Sequence, residues 1–357
     1  MITLCLREVP AWNRSCLFWG GATLCALVLP WCFKHLSRER WQIIASFPVK
    51  KIGDDSWAGV NITYYGFIVA SAQVIAVSVF FVLLGAIGVP RGDLAMLAAG
   101  LLLVCLPASK IVAKVVEKKS NTFTVGGASF VGILSVPLIT WLFNGLLDKA
   151  VPVLPFLGAL SVAYAFGEGL GRLACLSFGC CYGQPLSRIH PRMASMLRGV
   201  GTSFEGKMKK AAYEAGLENI RVVPVQAMTS VICVIVGLVG AYLFFRGEFR
   251  TAFIIPMASL QSWRFVSETL RADYRGKRKI SVYQVMSLAA TLFSLVFAFY
   301  APEGMAPGID LMKGVRQMWS PEWIIFVQIL WVSVFFYLGR SRVTGSKITL
   351  YVRGDMI

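Results

Sequence analysis

Two pairs of oppositely charged side chains interrupt apolar stretches of this 357-residue chain: Glu168 with Arg172, and Arg264 with Glu268. Each pair is four residues apart, which places its members on one face of a helix. A charge within hydrocarbon is costly, so such residues usually face a bundle interior or a wet cavity and mark function. We expect the two pairs to line one polar chamber, where the arginines could hold the oxygens of an anionic group. The alternative is an internal ion pair that only holds the bundle together.

Glycines surround the first pair. The segment 166–183 reads F-G-E-G-L-G-R-L-A-C-L-S-F-G-C-C-Y-G, with glycine at every second position from Gly167 to Gly171. These glycines leave the predicted helix thin enough for a neighbouring helix or a lipid head group to approach closely. The closing residues, from Gly179 to Gly183, predict a tight turn that leaves the membrane.

A second segment of small residues, 126–132, reads G-G-A-S-F-V-G. If it begins a helix, the free backbone N–H groups of Gly126 and Gly127, beside Ser129, would suit an anion or a phosphate. Tight helix packing is the alternative. Tyr65, at the head of another apolar stretch, is expected to add a hydroxyl donor to the same chamber.

Nine cysteines invite a metal or disulfide interpretation. Six are scattered among apolar residues and are predicted to be small core residues. The other three, Cys175, Cys180 and Cys181, are clustered, but neither a second cluster nor a histidine at ligand spacing accompanies them. A vicinal pair also rarely closes a disulfide on itself. The sequence therefore predicts no metal site and no cofactor, and packing is the preferred role of the cluster.

Composition is typical of a polytopic membrane protein, with 57% hydrophobic residues, 15% charged residues and a mean hydropathy of +0.67. Nine stretches are long enough to cross about 30 Å of hydrocarbon. They are 16–33, 64–89, 93–116, 126–147, 151–175, 223–245, 251–270, 281–300 and 323–338. We therefore predict an all-α fold, a transmembrane helix bundle of about nine spans. For the first stretch, a signal peptide is the alternative.

The net charge of +17 lies mainly in the predicted loops. Such cations usually meet anionic lipid head groups, and without an aromatic-basic platform no nucleic-acid partner is predicted. The largest loop, 184–222, is predicted to be a small extramembrane cap that contains a short amphipathic helix at 208–217. His190 in this cap is a candidate to reach inward as a proton acceptor, with an ordinary surface position as the alternative.

Taken in order, several landmarks resemble the prolipoprotein diacylglyceryl transferase family, whose membrane enzymes move diacylglyceryl from phosphatidylglycerol to a lipoprotein cysteine. The landmarks are Tyr64-Tyr65-Gly66, the 126–132 segment, Gly171-Arg172 followed by Gly183, Pro224 with Gln226, Arg264 with Glu268, and Tyr283-Gln284. The Gly-Cys-Cys-Tyr-Gly closing of 179–183 is similar to that of one group of family members. The resemblance covers about 63–300 and implies a multi-pass enzyme of the cytoplasmic (inner) membrane.

On this basis roles can be assigned to individual residues. The expected catalytic residues are Arg172, Arg264, Glu268 and Tyr65. The expected substrate-binding residues are Gly126, Gly127, Ser129, Glu168, Gly171, Gly183, Gln226 and His190. The arginines would grip the phosphate of an anionic phospholipid, while the two glutamates orient the guanidinium groups.

Three positions depart from the family pattern. Val131 stands where a histidine is usual, Cys175 where an asparagine is usual, and Leu260 where a tyrosine is usual. A base or a hydrogen-bonding group is missing at each. Two alternatives therefore stay open, a lipid transferase of the same fold with a different acceptor and a non-catalytic lipid-binding protein. Direct attack by one of the clustered cysteines in a two-step transfer is a further possibility.

Three parts of the chain are expected. They are an extra span with a basic loop (1–62), a transferase-like core (63–300, with the cap at 184–222), and an extra span with a tail (301–357). The loops on the motif-bearing face hold most of the loop Lys and Arg, including four within 275–279. The positive-inside rule would place that face in the cytoplasm, whereas the resemblance implies the outer face of the membrane. Cations that bind anionic lipid weaken the rule, so the outer face is the expectation.

Overall fold

Twelve α-helices and one small sheet make up the described part of the chain, residues 11–118, 124–147, 151–273, 280–302 and 308–357 of a computed structural model. The helices are α1 (Ala11–His35), α2 (Tyr64–Ala86), α3 (Arg91–Val112), α4 (Val125–Trp141), α5 (Val153–Phe178), α6 (Pro191–Leu197), α7 (Lys210–Ala215), α8 (Val225–Phe245), α9 (Phe249–Thr269), α10 (Val282–Tyr300), α11 (Leu311–Met318) and α12 (Pro321–Gly339). Short π-helical turns, Ala113–Glu117 and Leu142–Leu146, continue α3 and α4.

Seven described helices are long and apolar enough to cross a membrane, namely α2, α3, α4, α5, α8, α10 and α12. A polytopic helix bundle is thus confirmed, but the predicted count of nine spans is not reached by this measure. The seventh predicted span forms α9, which carries Gln261, Arg264 and Glu268 and is less apolar. The first forms α1, whose side chains are described only from Trp19 onward. The predicted basic cluster at 275–279 lies outside the described residues.

The central helix of the bundle is α5, which packs against α2, α8 and α9. Its small residues permit these close contacts. A side chain at Gly167 would meet Ala76 of α2, and one at Gly169 would meet Cys233 of α8. Most of the α5 surface is therefore covered by protein, as expected for a helix that is apolar on nearly every side.

A three-stranded antiparallel sheet, absent from the all-α prediction, joins the two ends of the chain. Its strands are β1 (Ile43–Lys51), β2 (Ser56–Thr63) and β3 (Arg340–Thr349), in the order β1-β2-β3. Ser56 pairs with Thr349, and Ile62 pairs with Arg340. The predicted first loop and the predicted tail, which were expected in separate parts of the chain, thus form one structure.

Close packing of α2 on α12 supports this sheet. A Cβ atom at Gly66 would collide with the backbone of Gly339, and the Thr63 hydroxyl donates to the Gly339 carbonyl at 2.9 Å. The glycine of the Tyr-Tyr-Gly landmark is therefore a contact point between two helices, because only a residue without a side chain lets the backbones come so near.

The cap contains α6 and α7 and is fastened to the bundle by Lys209. This lysine is fully buried, and its Nζ donates to the carbonyls of Ser177 at 2.6 Å and Leu36 at 3.2 Å. It thereby satisfies a carbonyl in the last turn of α5, which the helix itself leaves unpaired. The helix predicted at 208–217 is shorter than expected, because Gly216 ends α7 with a left-handed φ of 63°.

Candidate functional site

Glu168 of α5 holds two arginines that come from different helices. Arg172 Nη2, one turn further along α5, donates to Oε1 at 2.5 Å. Arg264 Nη2 of α9 donates to Oε1 at 2.5 Å and to Oε2 at 2.7 Å. The exposed fractions of the three side chains are 6% for Glu168, 14% for Arg172 and 9% for Arg264. The structure thus brings together the two arginines that the sequence singled out.

This cluster has an excess of positive charge. Two guanidinium groups share a single carboxylate, so one positive charge has no anionic partner within the cluster. A buried charge without a partner is unfavourable, so the cluster favours the binding of an anion. Arg172 uses only Nη2 on Glu168 among the described contacts, which leaves its other N–H groups for such a ligand.

The start of α4 borders the same cluster. Ser129 Oγ accepts a hydrogen bond from Arg264 Nη1 at 3.2 Å and donates to the Gly126 carbonyl at 3.2 Å. A Cβ atom at Gly126 would lie 3.0 Å from Arg264 Nη1. Gly127 instead faces Val112 of α3, so it serves helix packing. The predicted small-residue segment therefore contributes Ser129 and Gly126 to the site.

Gly171 and Gly183, both expected to bind substrate, have different surroundings. No heavy atom lies within 4 Å of a Cβ built on Gly171, so the helix face beside Arg172 is open there. Gly183 is crowded, because its backbone pairs with Arg271 and a side chain would collide with Val223. Gly171 therefore leaves room for a ligand, whereas Gly183 permits close packing of two backbone segments.

Glu268 contacts Arg271, and none of the described contacts joins it to Arg172 or Arg264, the arginines that it was expected to orient. Its Oε1 accepts from Arg271 Nη1 at 3.4 Å, and Arg271 Nε also donates to Asp273 at 2.8 Å. Burial opposes the charge of Arg271, but Cys181 and the two carboxylates keep the pKa of Arg271 above its ordinary value. Arg271 lies just beyond the end of α9, three residues after Glu268, and so reaches its carboxylate. The four-residue spacing of Arg264 and Glu268 does not predict this contact. Glu268 Oε2 is buried with no hydrogen-bond partner among the described residues.

Tyr65 lies at the start of α2, beside the end of α5. Its ring contacts Phe178 edge-on, with centroids 5.7 Å apart. It also lies within electrostatic range of Arg172 and of the thiols of Cys175, Cys180 and Cys181. Tyr65 therefore lies within electrostatic range of Arg172, and its expected role as a hydroxyl donor stays a prediction.

Gln226 and His190 have structural contacts. Gln226 Nε2 donates to the Cys180 carbonyl at 2.9 Å, and its Oε1 is buried without a partner among the described residues. Gln226 thus holds the turn that follows α5. His190 is exposed, and its Nδ1 accepts from the Arg192 backbone N–H at 3.3 Å. This bond caps α6, so the structure does not bring His190 into the cluster.

Two features of the site were missed by the sequence analysis. Tyr164 lies one turn before Glu168, and its hydroxyl is buried beside Glu168 and Ser129. Its position four residues before Glu168 could have identified it. The sulfur atoms of Cys175, Cys180 and Cys181 lie within 4.8 Å of one another. The sequence analysis expected these cysteines only to pack. The sequence spacing that is typical of metal ligands does not reveal a turn that folds back on its own helix.

Comparison with models of known protein families identifies a match over most of the chain. The family model of prolipoprotein diacylglyceryl transferase matches residues 56–300, which include every residue of the cluster described above. A search of curated proteins finds no match to the chain.

Proposed function

The chain belongs to the prolipoprotein diacylglyceryl transferase family, and we propose that it moves diacylglyceryl from phosphatidylglycerol to a prolipoprotein cysteine. It is a multi-pass membrane protein of a transferase family. Phosphatidylglycerol as donor, the cysteine thiol as acceptor and the cytoplasmic (inner) membrane as location belong to the proposal. The core is proposed to be 63–300, with the cap at 184–222, and 1–62 and 301–357 to be additions to it.

The observation that carries the proposal is the meeting of Arg172 and Arg264 at Glu168. In the proposed reaction, the acceptor sulfur forms a bond to a glycerol carbon and the bond from that carbon to a phosphate oxygen breaks. The electron pair leaves with glycerol phosphate. Negative charge grows on this phosphate, and preorganised guanidinium groups stabilise it in a site of low dielectric constant. The excess positive charge of the cluster supports this role.

Neighbouring groups have proposed roles that follow from their positions. The open face at Gly171 gives room for the donor glycerol beside Arg172. Ser129 and Glu168 hold Arg264 in place, as groups behind a reacting centre do. Tyr65 offers a hydroxyl at the end of α5 that faces the cap. Together these groups can bind and orient the donor, which accounts for a large part of the rate of a transfer reaction.

A transferase of the same fold with a different acceptor is the second candidate. It is favoured by Val131, a residue that cannot move a proton, and by the positions of the two histidines. His35 packs against Trp31 with ring centroids 5.0 Å apart, and His190 is exposed in the cap. A non-catalytic lipid-binding protein would also retain the arginine cluster, because that cluster needs only an anionic head group.

Release of glycerol phosphate from labelled phosphatidylglycerol by the purified protein tests the proposal. We expect release in the presence of a cysteine-containing lipoprotein peptide, and its loss in Arg172→Ala and Arg264→Ala. Arg246→Ala is the matched control, because Arg246 lies before the start of α9, whose first residue is about 22 Å from Arg264 along the helix axis at 1.5 Å per residue. Equal release by all variants would contradict the proposal. Release with a peptide that carries serine instead of cysteine would favour the second candidate, and no release by the parent would leave only lipid binding.

A further inference from the structure

Three thiols converge at the end of α5, beside the arginine cluster. The sulfur atoms of Cys175, Cys180 and Cys181 all lie within 4.8 Å of one another. Cys175 is 9% exposed, and the other two are half-buried, so a small ion can reach them. Three sulfur ligands around one zinc ion at about 2.3 Å stand about 3.8 Å apart, so the thiols need to close by about 1 Å or less.

Backbone hydrogen bonds fix the conformation of the turn that carries these thiols. The backbone N–H groups of Gly179 and Cys180 both donate to the Cys175 carbonyl, at 2.8 and 3.1 Å, which folds the chain back over the helix end. Cys181 has a left-handed φ of 57°, a conformation that is unfavourable for a residue with a side chain. Gln226 holds the Cys180 carbonyl from α8. Strained backbone of this kind often marks a binding site.

The charges around the thiols suit a negatively charged complex. Arg172 interacts electrostatically with Cys175 and Cys181, Arg271 with Cys181, and Lys210 with Cys180 and Cys181. Three thiolates around Zn²⁺ carry a net charge of about −1, which these cations would stabilise.

We propose that Cys175, Cys180 and Cys181 bind one zinc ion and leave its fourth coordination position open for the acceptor thiol. Among the described residues, no histidine, cysteine or carboxylate joins the three thiols as a fourth ligand. Three protein ligands with one open position are typical of catalytic zinc sites, whereas structural sites have four.

The role of the open position rests on the function proposed above. An acceptor thiol that binds zinc loses its proton to solvent and becomes a thiolate, because the metal lowers the thiol pKa. That sulfur then forms the bond to the glycerol carbon. Cys175 follows Arg172 by three residues, about 4.5 Å along the helix axis. The acceptor thiolate and the guanidinium of Arg172 are therefore close enough to act on one donor molecule. The zinc site also supplies the deprotonation of the acceptor thiol, which Val131 cannot.

Metal binding by the purified, reduced full-length protein tests the site without reference to activity. We expect about one zinc per chain, and thiolate-to-metal charge-transfer absorption when cobalt replaces zinc. Cys180→Ser and Cys181→Ser should each lose this absorption and most of the zinc. Cys105→Ser, on α3 outside the cluster, should retain both. A thermal unfolding curve for each variant separates loss of a ligand from loss of the fold.

The two proposals fail in different ways. Substoichiometric zinc in the parent, or cobalt absorption unchanged in both cluster variants, would overturn the metal site while transfer by Arg172 and Arg264 stays testable. A disulfide between two of the thiols in the protein as purified from cells would also overturn it, in favour of a redox pair. Zinc bound without any transfer would instead contradict the proposed function. Addition of the acceptor peptide should shift the cobalt spectrum of the parent, and a serine peptide should not.

Discussion

Both carboxylate oxygens of Glu168 accept hydrogen bonds from Nη2 of Arg264, across the contact between α5 and α9. The same carboxylate holds Arg172. One acidic group therefore fixes two cations on two helices, and its removal would leave both cations buried together. The site depends on Glu168 more than on any other side chain, although the phosphate would contact the arginines.

Glu168→Gln should destabilise the protein strongly. Removal of one partner from a buried ion pair costs about 3–5 kcal/mol, because the remaining charge stays buried. The fall in unfolding temperature should be measured in detergent. Glu248→Gln is the matched control, because Glu248 pairs with Arg246 while 42% exposed. A similar fall in both variants would contradict the special role of Glu168.

Ser129→Ala should lower stability moderately and slow transfer. Its hydroxyl accepts from Arg264 Nη1, and a hydrogen bond to a charged group contributes about 1.5–3 kcal/mol to stability. Because this bond also holds Arg264 in place, kcat/KM should fall in Ser129→Ala. Ser135→Ala on the same helix removes a hydroxyl that bonds only to the Gly132 carbonyl among the described contacts. Equal rates in the two variants would show that Ser129 does not position Arg264.

Tyr164→Phe removes a buried hydroxyl that lies beside Glu168 and Ser129. A hydrogen bond to a charged group contributes about 1.5–3 kcal/mol, so this change should lower stability and disturb the carboxylate that holds both arginines. We expect a lower unfolding temperature together with weaker binding of phosphatidylglycerol, measured as KM for the labelled lipid. Unchanged KM would mean that the hydroxyl takes no part in donor binding.

Gly169→Ala and Gly171→Ala should differ in their effects. A Cβ at Gly169 would lie 2.8 Å from Cβ of Cys233, and overpacking of this kind costs about 1–3 kcal/mol. The new methyl group of Gly171→Ala has open space, so stability should be kept while donor binding is weakened. The measurements are unfolding temperature and KM for the lipid. Equal stability of the two variants would contradict the packing described for α5.

Lys209 should make stability depend on pH. Burial lowers its pKa from the ordinary 10.5 to about 7, while Glu205 and Glu39 oppose this shift. Between these values the unfolded chain holds a proton that the folded chain lacks, so stability rises with pH above about 7. The unfolding temperature of the parent should therefore rise more from pH 7 to higher pH than that of Lys209→Met.

Lys207→Met is the control for this prediction, because Lys207 is exposed in the same cap segment. It should keep the pH dependence of the parent. An identical slope in Lys209→Met and the parent would mean that another group causes the dependence. The neutral amine still donates two hydrogen bonds, which matches the two carbonyl acceptors of Ser177 and Leu36.

Much of the bundle and part of the site could be predicted from sequence. The stretch 151–175 became α5 (Val153–Phe178), because long apolar runs report directly on helices within a membrane. The meeting of Arg172 and Arg264 follows from the cost of a charge in hydrocarbon, which drives both inward. These inferences depend on local pattern and on a strong energetic penalty.

The remaining features depend on contacts between distant residues. The spacing of Arg264 and Glu268 places both on one helix face, but it does not indicate that Glu268 forms an ion pair with Arg271. The sheet pairs Ser56 with Thr349, and no local pattern in either strand identifies the other. The sequence predicts a tight turn at 179–183, but it does not show that this turn brings Cys180 and Cys181 back to Cys175.

The pairing of β2 with β3 also restricts how the chain threads a bilayer. Hydrogen-bonded neighbours must stand on the same side of it, so the polypeptide between Thr63 and Arg340 traverses the lipid an even number of times. The seven apolar helices all lie in that interval, and seven is odd. An eighth crossing is therefore required, and it is assigned to α9, whose 21 residues span about 31 Å. The even number of crossings thus assigns the helix that carries Arg264 to the membrane, although its hydrophobicity alone does not.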